Sequence, residues 1–121
     1  MKSMSLLQKV EFHDKYPNAE PLFVSDEVRV LRFSLRPGQV VREHNAPHSP
    51  VIVTVLQGHG MFAGGDGKEE ECGPNDLLVF QAGEDHSIRA LTEDLIFVVI
   101  LREAPDAKST AYHHVGEKYV S

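Results

Sequence analysis

The sequence predicts an all-β protein, an antiparallel barrel or sandwich of short strands. Roughly eight runs rich in β-branched and aromatic residues recur with turn signals every 8–12 residues. Nine glycines and seven prolines punctuate those runs. No segment of helical period lies between them, which argues against a parallel α/β sheet. At 121 residues, 41% of them apolar, the chain supports one compact core and has no room for a second.

Taken in order, residues 1–26 form a weakly patterned N-terminal arm, 27–103 the barrel and 104–121 a C-terminal tail entered through a linker-like stretch. Glu27 to Leu35 reads as a strand ended by Arg36-Pro37-Gly38, where proline fixes φ and glycine tolerates φ > 0. Gln39 to His44 is the next strand. Asn45 to Pro50 is a loop, because Pro47 and Pro50 each remove a backbone donor. Val51 to Leu56 is the strongest strand. Gly58 and Gly60 break the chain around His59, and Ala63 to Gly67 makes a hairpin loop. Lys68 to Cys72, Leu77 to Phe80, His86 to Leu91 and Leu95 to Leu101 complete the set, with turns at Gly73-Pro74-Asn75-Asp76 and Ala82-Gly83-Glu84-Asp85. The last run has no alternation, so that strand is expected to be covered on both faces, by the core on one side and by the arm or a second subunit on the other.

Charge and composition exclude several roles. A net charge of −6 repels phosphate backbones, so nucleic acid is not an expected partner. Leu95 to Leu101 is too short to cross a bilayer, which takes about 20 apolar residues in a helix. The chain opens without a signal-like apolar stretch, and a cytoplasmic location is the expectation. Cys72 is the only cysteine and has no disulfide partner within the chain. The acidic residues before it raise its pKa and favour a passive role. No phosphate loop, nucleophile elbow or dinucleotide fingerprint is present.

The chemistry rests on histidine, the commonest protein ligand of transition metals. His44 and His48 lie in one stretch and His86 in another. Strand parity puts His86 on the face of Ile88 and Ala90, and so inward. His44 shares parity with Val40 and Arg42, which is less decisive, and Glu43 takes the opposite face. Glu43 and Glu84 stand beside the histidines as candidate bases. Arg42 is either a partner for an anionic substrate or a surface salt-bridge residue. His13, His59 and the pair His113-His114 read as solvated side chains.

These stretches resemble the two motifs of the cupins. Gly38-x5-His44 is similar to the opening of the first motif and Leu56-Gln57-Gly58 to its close. Gln81-Ala82-Gly83-Glu84-Asp85-His86 is similar to the end of the second, with glutamine in place of proline. The resemblance covers about Val28 to Leu101. It implies a double-stranded β-helix of jelly-roll type, a homodimer, and a small-molecule ligand in the barrel mouth. It also implies a metal held by three histidines and a glutamate, and here the chain departs. Ala46 stands where the second histidine belongs, and Pro50 or Val51 where the glutamate belongs.

The candidate metal site is therefore His44, His48 and His86, three imidazoles suited to Zn, Fe, Ni or Cu. The alternative is that His44 and His86 are barrel residues satisfied by hydrogen bonds and His48 is an exposed loop histidine. Two functional classes follow. One is a metal-dependent enzyme, dioxygenase- or isomerase-like, acting on a small and anionic organic molecule. The other is a non-catalytic binding or sensing module with a reduced or absent metal site.

Overall fold

Residues 1–102 are described by the structure, a computed structural model. They form nine strands: β1 (Asn18–Val24), β2 (Arg29–Leu35), β3 (Val40–His44), β4 (Val51–Gln57), β5 (Gly60–Ala63), β6 (Glu69–Cys72), β7 (Leu77–Phe80), β8 (His86–Ala90) and β9 (Leu95–Leu101). Every strand pair is antiparallel. One sheet has the order β1-β2-β9-β4-β7 and the other β3-β8-β5-β6. The two sheets pack inner face to inner face as a double-stranded β-helix. The expected tail, 104–121, lies outside the described residues.

Alternation builds the core. On β4, Val51, Val53 and Val55 are buried while Ile52 is exposed. On β2 the inward set is Leu31, Phe33 and Leu35, with Arg29 at the same parity. Phe97 of β9 stacks on Phe33 at 5.0 Å within its own sheet and meets Phe62 of the facing sheet edge-on at 5.8 Å. Such ring contacts add to the area buried and join the two layers.

Three turns match their residues. Gly38, Asn75 and Gly83 have φ of 80°, 73° and 79°, each at the third position of a turn closed by a main-chain hydrogen bond. That is the type II geometry, which wants glycine or asparagine there. Gly58 is fixed more strictly. Its φ is 78°, and a Cβ there would overlap the Asp94 carbonyl oxygen.

Within the expected arm, residues 18–24 form an edge strand, β1. Pro17 and Pro21 weaken its pattern, and an edge strand is where proline is tolerated. The residues before it fold over the outer face of the five-stranded sheet. Arg32 and Ser34 point outward from β2, yet they are 5% and 1% exposed. The Arg32 guanidinium donates to the carbonyls of Leu6, Gln8 and Lys9 and pairs with Glu20. Val98 sits opposite Arg32 across the ladder and Ile96 opposite Ser34. Both are buried on that outer face, at 6% and 3%. From Leu95 to Val99, β9 is thus covered on both sides, and the cover ends at Ile100, which is exposed.

Arg32→Met keeps most of the stem and removes the donors that gather the arm. It is expected to lower stability by about 2–4 kcal/mol. Thermal unfolding measures that loss, and limited proteolysis should show faster cleavage within residues 1–17.

Candidate functional site

His44 and His86 face each other across the β3–β8 ladder. Their rings meet edge to face with centroids 4.3 Å apart. His86 points inward as parity demands, with Ile88 and Ala90 buried beside it. His44 reaches the same face by another route. The register shifts between Val41 and His44, where β3 spends three steps against two on β8. This bulge puts His44 in phase with the fully buried Val41 rather than with Val40 and Arg42. Arg42 and Glu43 are exposed.

The other sheet supplies the facing wall. Arg29, Leu101, Val51 and Phe80 pair in one row across β2, β9, β4 and β7. Phe80 stacks on the His86 ring at 4.4 Å with the planes 10° apart. Between the sheets lies a cavity of about 100 Å³, room for several waters or one small organic molecule. Its polar lining is Arg29, His44, Asn45 and His86, and the rest is mainly hydrocarbon. Arg29 escaped the sequence reading. Its signal was an arginine at the parity of Leu31, Phe33 and Leu35, on the apolar face of its own strand.

Hydrogen bonding fixes where one proton sits on each ring. Nδ1 of His44 lies 2.8 Å from the Arg42 carbonyl oxygen, and Nδ1 of His86 lies 3.0 Å from that of Glu84. A carbonyl can only accept, so each Nδ1 carries the proton and donates it. On a neutral ring so bonded the lone pair is on Nε2. Burial pushes the His86 pKa below its ordinary value, against the raising effect of the Glu84 carbonyl and of the Glu84 and Asp85 carboxylates.

The loops at the mouth are tied together. Asn45 Nδ2 donates to Asp85 Oδ1 at 2.7 Å, and the Gly83 amide donates to the Ala46 carbonyl at 2.8 Å. The Glu84 carboxylate accepts from the amides of Gly65 and Gln81, and these bonds, Gly65 first, hold its carboxyl below the usual carboxylate range. It faces the β5–β6 hairpin and does not line the cavity, so its geometry is that of a brace and not of a base.

His48 lies exposed on the β3–β4 loop, outside the cavity lining. Ala46 and Val51, which take positions where the resemblance implies other ligands, are buried and line the cavity, while Pro50 is exposed. Among the described residues no group of three or more His, Cys, Asp or Glu is placed to hold a metal ion. Two imidazoles alone fall short of the three or four protein ligands of a stable centre. In this arrangement the donor set does not fit the metal that the resemblance implies. Of the remaining candidates, Cys72 is buried, with a pKa raised first by that burial and then by Glu70, Asp76 and Glu71. His59 bonds to Glu93 at the surface, and His13 stacks on Tyr16.

Two facing antiparallel sheets with a small polar-ended cavity at one end define a double-stranded β-helix of jelly-roll type. The profile of the Cupin domain matches residues 31–101, and the chain belongs to that family. Among solved structures, an RmlC-like cupin protein of Desulfovibrio desulfuricans is 26% identical, with a TM-score of 0.78 over 84% of this chain and 96% of that one. A protein of Thermus thermophilus has a TM-score of 0.81 at 21% identity, covering 87% of this chain and 100% of the other. A Thermotoga maritima protein described as a predicted oxalate decarboxylase is 26% identical, with a TM-score of 0.67 over 71% and 79%. No curated protein matches the chain.

The lowered His86 pKa makes stability depend on pH. Unfolded, the ring takes up a proton near 6.5; folded, it resists until lower pH. Its contribution is therefore fully present above 6.5 and is lost as pH falls through the lowered folded value. The midpoint of thermal unfolding should drop on the acid side of 6.5, and His86→Asn should flatten that drop relative to the parent chain.

Proposed function

We propose that the chain is a small-molecule-binding cupin whose cavity takes a small organic acid bearing a hydroxyl group. One observation carries this reading: Arg29, His44 and His86, with Asn45, line the same small and mainly apolar cavity. Arg29 supplies the donors that a carboxylate wants. The Nε2 lone pairs are acceptors, so they repel a bare carboxylate and attract an O–H donor. A ligand with both groups satisfies both ends. The oxalate named for the Thermotoga maritima protein is a small organic acid, which supports the carboxylate end of this reading only.

A second reading uses the same lone pairs. Metal-ligating histidines donate their other ring nitrogen to a carbonyl or carboxylate, as both rings do here. In that reading His44 and His86 hold a divalent Zn, Fe, Ni or Cu ion, and His48 joins them through a rearrangement of residues 45–50. One experiment separates the two. In protein freed of metal by a chelator, calorimetry should show binding of a hydroxy acid such as glycolate or lactate. The deoxy acid and the amide should bind at least about tenfold more weakly, as should the Arg29→Met variant. No binding by any hydroxy acid would overturn the first reading. Stoichiometric metal in untagged protein, lost in His44→Ala, His86→Ala and His48→Ala alike, would establish the second.

We further infer that two copies pair through the outer face of the five-stranded sheet. Phe23, Val30, Ile100, Ile52 and Val79 are cross-strand neighbours in one row spanning all five strands. Four of them are large and exposed, and Leu77 beside Val79 is 65% exposed. The row holds no charge in a chain of net charge −6, so it is the face on which two like-charged copies meet without repulsion. A twofold axis lays such a row on itself. Sedimentation should show a dimer that Ile52→Glu with Ile100→Glu converts to a monomer; a monomeric parent chain would refute it.

A further inference from the structure

We propose that Glu84 is a positioning residue for His86, holding the turn that decides which imidazole nitrogen carries the proton. This rests on the reading of the cavity as a ligand site. Three contacts converge on the one residue. Its Oε1 accepts from the Gln81 amide at 2.7 Å, closing the turn between β7 and β8. Its Oε2 accepts from the Gly65 amide at 2.8 Å, fastening that turn to the hairpin between β5 and β6. Its main-chain oxygen accepts the Nδ1 proton of His86.

The hairpin is shaped around this side chain. A Cβ at Gly64 would stand 2.6 Å from Glu84 Oε2, and one at Gly65 would stand 3.1 Å from its Cγ. The hairpin's bare backbone is what allows the carboxylate to lie against it. On its other side the turn is held by the Gly83 amide on the Ala46 carbonyl. The turn is therefore anchored to two separate loops, and Glu84 makes the anchor to the hairpin.

The consequence is chemical. Bound to the Glu84 carbonyl, His86 has its proton on Nδ1 and offers a lone pair at Nε2. If the turn shifts and that bond lengthens, the preference between the two tautomers is lost. A fraction of the molecules then carry the proton on Nε2. Those molecules present a donor to the ligand where the site needs an acceptor. Glu84 does not touch the ligand and acts only through His86.

Imidazole ¹⁵N spectra of the full chain at mildly alkaline pH, without ligand, test this directly. In the parent chain His86 should show a protonated Nδ1 and an unprotonated Nε2. Glu84→Ala should give averaged shifts for both nitrogens, with the methyl signals of Val41 and Leu35 in place. Gly64→Ala, which crowds the same carboxylate from the hairpin, should give the same averaging. It also keeps the test open if Glu84→Ala fails to fold. Glu84→Gln, which retains one acceptor, should fall between the parent chain and Glu84→Ala, and hydroxy-acid affinity should weaken about fivefold or more in step with the averaging. An unchanged His86 tautomer in a folded Glu84→Ala or Gly64→Ala variant would overturn the proposal. If the tautomer averages while even the parent chain binds no hydroxy acid, the positioning role stands and the ligand reading alone falls.

Discussion

The structure depends on keeping β9 dry on both faces. This strand lies at the centre of the five-stranded sheet, and from Leu95 to Val99 every side chain is at most 7% exposed. One face is satisfied by the core between the sheets, where Leu95, Phe97 and Val99 pack. The other needs a cover that the second sheet cannot provide. The N-terminal segment supplies it, and an arginine makes that docking specific. Main-chain carbonyls of an irregular segment need donors when they leave water. Arg32 presents several from one rigid fork, so a segment with little regular structure settles at one place. A buried cation is costly by itself, and here Glu20 and the carbonyls offset that cost.

That central strand also sets the cavity. Leu101 of β9 pairs with Arg29 on one side and Val51 on the other. The row through Phe80 faces the histidine pair, so the register of β9 determines which side chains meet His44 and His86. The cavity end is a mixed environment. Phe80 stacks on His86 and His44 meets it edge to face, and burial there favours the neutral ring. A neutral, tautomer-fixed imidazole next to hydrocarbon is a directional acceptor. It discriminates by hydrogen bonding more sharply than a solvated one does, because an unmatched ligand leaves a buried polar atom unsatisfied.

Most of the strand plan could be read from residue order, because alternation and turn chemistry are local. His86 is a case in point: Ile88 and Ala90 share its parity, and the strand is regular between them. His44 was undecidable by the same rule because a bulge intervenes, and nothing in Val41-Arg42-Glu43-His44 announces the extra residue. Strand β1 was missed because its prolines mask a pattern that an edge position tolerates. Arg29 was within reach, since an arginine in phase with three apolar neighbours is an anomaly worth following. His48 shows the opposite limit. Its spacing from His44 suggests partnership only on a helix, and the direction of a proline-bearing loop is set by tertiary contacts that the sequence does not display.

Ala46 and Val51 line the cavity beside the two histidines. His44 and His86 stay inward, each with Nδ1 bonded to a carbonyl, and hydrocarbon lies next to them. Small apolar side chains at positions 46 and 51 enlarge the apolar wall next to the polar cluster. Such a cavity has a low local dielectric, in which a single guanidinium attracts a carboxylate far more strongly than it does in water. In the proposed reading the two histidines serve orientation, since they would tell the two ends of a hydroxy acid apart. The same geometry explains why a brace such as Glu84 matters at a distance. A site with only a few polar contacts has no spare ones, so the direction of each lone pair must be held by the chain around it.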